Sequence, residues 1–187
     1  MADSKISALT GVSSIDGTQE YPVNDGGTTK KATGTQQAAY TETRLQQGVL
    51  CSHASDQPIT TATWTALAFD AEEFKVGETA IHSTSTNNSR LTAQVAGEYV
   101  VVGSVQWEES ASDDVLRSQL QKNGSTEVWR DISPSINSGT FATTQDITAV
   151  VQLSATDYVE LRAYHNTGVG RDVNASMTRF GMYLVGR

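Results

Sequence analysis

The sequence predicts an all-β fold, an antiparallel jelly-roll sandwich of about eight to ten strands, preceded by a small N-terminal hairpin and short helix. Two observations support this prediction. Threonine, serine, glycine and valine are plentiful and only 3 prolines occur, which favours strands and turns over helices. From residue 48 almost to the last residue, short alternating apolar runs recur with no helical pattern between them.

Composition changes near residue 48, which predicts an N-terminal segment over residues 1–47 and a jelly-roll domain over 48–187. In the first segment, an alternating run at 19–23, the turn residues 24–27 and a return run at 28–32 predict a hairpin. Residues 35–47 have weak helical character, with Thr35 as the expected cap and Gly48 as the expected stop. This segment has too few apolar side chains to fold alone, so it needs a partner surface. Its own domain, a sister chain or a larger assembly would each supply one.

The second segment contains runs with the alternation and length of strands. The predicted strands are Val49–His53 with Gln57–Thr60 as one broken strand, Trp64–Phe69, Leu91–Val95, Glu98–Trp107, Val115–Gln121, Glu127–Asp131, Phe141–Leu153, Tyr158–His165 and Met177–Val185.

Two of these strands, around residues 99–105 and 177–185, are apolar on both faces. The outer face of a monomeric sandwich is normally polar, so such strands favour an oligomer in which a subunit interface covers them. The alternative is that the N-terminal segment covers that face. The side chains predicted to line a trimer interface are Tyr99, Val101, Val105, Tyr183 and Val185.

Composition and motifs exclude several classes of function. A net charge of −8 disfavours binding to nucleic acid. No apolar run is long enough to span a bilayer. No catalytic, phosphate-binding or zinc-binding motif is present, so we expect no enzyme activity, cofactor or metal. The 3 histidines lack ligand spacing, and the single cysteine, Cys51, is expected to pack as a small apolar group. The acidic stretch at residues 108–114 is the best candidate for a metal site, because hard cations bind clustered carboxylate oxygens, but we predict that it is a solvated loop.

From about Val49 to Arg187 the chain resembles the trimeric jelly-roll family of the complement globular head and tumour necrosis factor. The resemblance rests on TWTALAFD from Thr63, AGEYVVVGSVQW from Ala96, LSATDYVELRAYHNTG from Leu153 and the terminal FGMYLVGR. It implies a ten-strand jelly roll and a compact threefold trimer with apolar strands facing the axis.

The N-terminal stretch KISALTGVSSIDGTQEYPVNDGGTTKKAT, residues 5–33, looks like the opening of many tailed-bacteriophage virion proteins. That likeness implies a short segment that docks the protein to the particle. The side chains expected to make this anchor are Ile6, Leu9, Tyr21 and Val23.

Together these features indicate a structural protein of the virion, made in the host cytoplasm. The first hypothesis is a homotrimeric capsid decoration protein (a cement, knob or head fibre) bound to the major capsid protein or another virion protein. The alternative is a tail or baseplate fibre whose knob binds a host-surface glycan or receptor. A secreted complement-like module and a hydrolase of envelope sugars are disfavoured. Of the tryptophans, Trp64 and Trp107 are expected in the core, and Trp129 is the candidate for exposure and for stacking on carbohydrate.

Overall fold

A computed structural model describes residues 18, 20–25, 27–36, 47–77, 79–108, 115–134 and 142–186. The chain forms two compact units, residues 1–43 and 44–187. The structural division lies before the boundary expected at 47/48. Gln47 is fully buried in the second unit, where its carbonyl accepts a hydrogen bond from the Leu184 amide at 2.8 Å.

The first unit contains the predicted hairpin. Strands β1 (Glu20–Asp25) and β2 (Thr28–Thr33) pair antiparallel, and Asp25 faces Thr28 across the turn. Gly27 in this turn has a φ of +84°, a conformation that glycine adopts without steric cost. The hairpin predicted from the sequence is therefore confirmed.

A helix begins directly after β2, over residues 34–36 of the described part. Its cap is Thr33. The Gln36 amide donates to Thr33 Oγ1 at 3.1 Å, and the Thr33 amide donates to Gln36 Oε1 at 2.8 Å. This reciprocal pair is a capping box. The prediction of Thr35 as the cap is wrong, because Thr35 lies inside the first turn. Gly48, the expected stop, is the first residue of a strand, and residues 37–46 lie outside the described part.

The second unit contains twelve strands and one short 3-10 helix in its described part. They are β3 (Gly48–Ser52), β4 (Gln57–Ile59), β5 (Thr65–Ala66), β6 (Ala71–Val76), the 3-10 helix (Thr79–Ile81), β7 (Arg90–Thr92), β8 (Gly97–Trp107), β9 (Val115–Lys122), β10 (Thr126–Pro134), β11 (Thr143–Leu153), β12 (Tyr158–His165), β13 (Arg171–Val173) and β14 (Arg179–Gly186).

These strands form two antiparallel sheets that enclose one core, so the predicted jelly-roll sandwich is confirmed. The large sheet runs β11-β8-β14-β3-β6, and β13 joins the end of β8 and carries β4. In the small sheet, β10, β9 and β12 are neighbours, and β5 and β7 both pair with β12. Strands β3 and β4 pair with different neighbours, so the expectation of one broken strand is wrong.

The core lies between the sheets and takes alternate side chains from each strand. Tyr99 and Trp107 of the large sheet are fully buried there, as is Leu120 of the small sheet. Trp107 Nε1 donates to Gln145 Oε1 at 3.0 Å, and Gln145 Nε2 donates to the Leu116 carbonyl at 3.1 Å. Because Gln145 lies on β11 and Leu116 on β9, this buried chain of hydrogen bonds ties one sheet to the other.

Candidate functional site

The large sheet has a second face, turned away from the core, that carries large apolar side chains. We call it the outer apolar face, and it consists of Leu50, Phe74, Val100, Val102, Val150, Tyr183 and Val185. Of the nine large apolar side chains exposed in the described part of the chain, five lie on this one face. Monomeric proteins rarely expose a contiguous apolar patch of this kind, and such patches mark interaction surfaces.

Strand register places six of these seven side chains, all except Val185, in two adjacent rows across five strands. Because residues paired across a sheet share a face, each row is a continuous set of neighbours. The first row runs Val150, Val100, Tyr183, Gly48 and Val76, and the second runs Thr148, Val102, Gly181, Leu50 and Phe74.

Two glycines allow these rows to pack closely. The ring of Tyr183 lies directly over Gly48, where a Cβ atom would collide with it. A Cβ atom on Gly181 would meet Leu50 Cδ1 at 3.0 Å and Val102 Cγ2 at 3.2 Å. The absence of a side chain at these two positions lets Tyr183, Leu50 and Val102 approach the backbone closely.

One end of this face is polar. Asp146, Ser104 and Arg179 follow one another across β11, β8 and β14, and Arg179 forms an ion pair with Glu73. A cavity of about 220 Å³ lies at this end. An apolar centre with charged residues toward one edge is the usual composition of a protein–protein interface.

The structure corrects three of the five residues predicted at a trimer interface. Tyr99, Val101 and Val105 are fully buried inside one chain and belong to its core. Tyr183 is 41% exposed and Val185 is 56% exposed, and both lie on the outer apolar face. Tyr183 and Val185 therefore remain predicted interface residues, whereas on β8 the face that is not taken by the core is the one that carries Val100 and Val102.

The reason lies in the alternation of β8. Both faces of its central part carry valines, so hydrophobicity alone does not separate Val101 from Val102. The core face is the one that also carries the large rings of Tyr99 and Trp107, and the polar atoms of both rings make hydrogen bonds inside the chain. Tyr99 OH donates to the Val95 carbonyl at 2.9 Å. Ring size was the signal in the sequence that distinguished the two faces.

The four predicted anchor residues belong to the first unit. Ile6 and Leu9 lie outside the residues that the structure describes. Tyr21 and Val23 lie in β1, where they pair with Ala32 and Lys30 of β2.

The three histidines are buried and contact other residues of the fold. His165 Nε2 donates to the Ile59 carbonyl at 2.8 Å, and the Thr167 amide donates to its Nδ1 at 3.3 Å. His82 Nδ1 lies 2.9 Å from Glu72 Oε1. His53 packs on the ring of Phe69, and burial lowers its pKa.

Cys51 is fully buried, and this burial raises the pKa of its thiol to about 12, as suits a small apolar core residue. Within the described ranges, no group of three or more His, Cys, Asp or Glu side chains is close enough to hold a metal ion. Residues 109–114 of the acidic stretch lie outside those ranges.

The three tryptophans occupy different surroundings. Trp107 is fully buried as predicted, and Trp129, the candidate for exposure, is exposed. Trp64 is only half-buried and packs against Tyr164, so its expected place in the core is wrong. Among the residues that the structure covers, no helix has the length and apolar character to cross a membrane.

Comparison with known proteins identifies the fold. No protein-family model matches the sequence, and no curated protein matches it. Three crystal structures of murine APRIL, at pH 5.0, 8.0 and 8.5, are similar, with TM-scores of 0.57, 0.55 and 0.55 at 10%, 9% and 10% identity. In each case the similarity covers 75% of this chain and 99% of the other. The chain therefore has a tumour-necrosis-factor-like jelly roll.

Proposed function

We propose that this protein is a homotrimeric decoration protein of a tailed-bacteriophage capsid, docked to the particle by its N-terminal segment. The observation that carries the proposal is the outer apolar face, which spans five strands. Covering that face with two further copies of the chain removes its apolar side chains from water, which is the main driving force for subunit association. The tumour-necrosis-factor-like fold supports the same arrangement.

The N-terminal unit supports the docking part of the proposal. It is a compact unit separate from the jelly roll, and its hairpin matches the stretch that resembles the opening of phage virion proteins. A two-stranded hairpin is marginally stable in water by itself. A trimer presents three copies, and three linked weak contacts bind far more tightly than one.

Particle binding by the full chain and by a deletion of residues 1–43 tests this proposal. The deletion leaves the whole described core of residues 47–186, so it is expected to keep its fold and to remain a trimer of the shortened chain. It is also expected to lose binding to particles that lack the protein. A truncated protein that still binds particles would contradict the docking role.

Immunogold labelling of intact particles separates decoration from the alternative, a tail or baseplate fibre that binds a host receptor. Label distributed over the head is expected. Label confined to the tail tip would replace the decoration proposal with the fibre.

A further inference from the structure

The small sheet also has a face turned away from the core, and this face is built from arginine and aromatic side chains. We call it the arginine–aromatic face, and it consists of Trp64, Arg90, Arg117, Arg130, Tyr158, Arg162 and Tyr164. In the strand register, Arg117 pairs with Tyr164 and Arg90 pairs with Glu160. Gln119 has Arg162 on one neighbouring strand and Arg130 on the other. It lies on the opposite surface of the sandwich from the outer apolar face, so a trimer formed through that face leaves it available.

This face is electropositive on a chain of net charge −8. It carries four of the chain's eight arginines, whereas its described strand positions carry two carboxylates, Glu127 and Glu160. Glu127 pairs with Arg130, and Glu160 pairs with Arg90 at 3.2 Å. Among the described residues, Arg117 and Arg162 have no carboxylate partner. The face therefore carries an excess of two positive charges. Arg162 already donates to Gln121 Oε1 at 2.9 Å and to the Trp64 carbonyl at 3.0 Å, so it contributes its charge more than free donors.

Aromatic rings hold the guanidinium groups in place. The Arg90 guanidinium lies 4.1 Å from the centre of the Tyr158 ring, and that of Arg117 lies 5.1 Å from the centre of the Tyr164 ring. Arg130 stacks on Trp64 at 5.5 Å. Stacking uses the flat surface of a guanidinium and leaves its in-plane N–H groups for carboxylates. Groups ordered before binding lose less entropy when a ligand arrives.

A polar cavity of about 440 Å³ adjoins the face at the β7 side. Arg90 and Tyr158 line both. The other residues that line the cavity include Ser83, Thr86 and Thr92, whose side chains carry hydroxyl groups, together with His82 and Asn87. Its volume is within the range of ligand pockets, about 300–1,000 Å³. Thr156, also on its wall, has a φ of +74°, a strained conformation for a β-branched residue and one that recurs at binding sites.

From these features we propose that the arginine–aromatic face and its adjoining cavity bind an acidic polysaccharide whose sugar rings carry carboxylate groups. Carboxylates match the planar N–H donors of arginine, and sugar hydroxyls match the hydroxyl-lined cavity. The inference does not depend on where the protein sits on a particle.

Titration calorimetry of the full chain with polygalacturonate, a polymer of a carboxylated sugar, tests the inference. Binding is expected, and it should weaken steeply as salt rises from roughly 50 to 500 mM, because exposed charge pairs are screened. Dextran, a neutral polymer, is expected not to bind. Failure to bind polygalacturonate, or equal binding of dextran, would overturn the proposal. Equal binding of poly-glutamate would make an acidic peptide the partner.

Two variants locate the site. Arg117→Gln and Arg90→Gln each remove a stacked charge, and each is expected to weaken binding by roughly tenfold or more, since each removes a charge-assisted hydrogen bond. Lys31→Gln makes the same change of charge on the N-terminal hairpin and is expected to bind as the unaltered chain does. If both arginine variants keep their melting temperature, mass and full affinity, the site is not on this face. If Lys31→Gln loses as much affinity as they do, the attraction is one of overall charge.

Discussion

Replacing Val150 by aspartate should dissociate the trimer without unfolding the chain. Val150 is 66% exposed in a single chain and pairs with Val100 at the β11 edge of the outer apolar face. Fully burying a valine contributes about 1.5–3 kcal/mol, so the two-thirds still exposed can contribute about 1–2 kcal/mol per chain on assembly. Over three chains this is about 3–6 kcal/mol, or roughly a hundredfold to ten-thousandfold in the dissociation constant. The uncompensated carboxylates add to the loss, so these figures are a lower bound.

The assay is sedimentation velocity over a dilution series, with circular dichroism to check the fold. Val169→Asp is a matched control, because Val169 is 65% exposed but lies in the segment between β12 and β13, off the outer apolar face. The control should dissociate at the same concentration as the unaltered chain. Equal dissociation constants for Val150→Asp and Val169→Asp would refute the assignment of the interface.

Three further predictions concern the fold of the second unit. Gln145→Ala should lower the free energy of unfolding by about 2–5 kcal/mol in chemical denaturation, because it leaves the buried Trp107 Nε1 and the Leu116 carbonyl without hydrogen-bond partners. A change below about 0.5 kcal/mol would contradict that role. Cys51 should react with a thiol reagent only after unfolding, since burial raises its pKa to about 12; rapid labelling of the folded protein would count against this. Hydrogen bonds lower the pKa of Asp157 to about 2, so its contribution to stability is present near pH 5 and is lost as the pH falls toward 2. Asp157→Asn should therefore reduce the fall in melting temperature between pH 5 and pH 2. The same fall in the variant and the unaltered chain would contradict this role.

Local patterns in the sequence predict much of the fold. The strand predicted at 158–165 agrees with β12 at both ends, and those for β8, β9 and β11 agree to within two residues. Strands β6 and β13 were not predicted. β6 carries three charged side chains among six residues, and β13 has only three residues, so neither shows a marked alternation. Their pairing with β3 and β8 is a long-range property that no local pattern contains.

The candidate sites depend still more on long-range pairing. The face of β8 that meets the core is settled by its neighbour β11, where Ile147 is buried and Thr148 is exposed. The rings of Tyr99 and Trp107 indicate the same face from the sequence, and the register settles it. The arginine–aromatic face joins residues as distant in the chain as Trp64 and Tyr164, so it has no sequence motif.

The central claim is that the outer apolar face is covered by sister chains, and the mass of the protein in solution tests it most directly. Light scattering coupled to size-exclusion chromatography, at micromolar concentration, should give three times the chain mass of 20.0 kDa. A mass of one chain, with the outer apolar face still shielded from solvent in footprinting, would contradict the account, because the chain would then cover that face by itself.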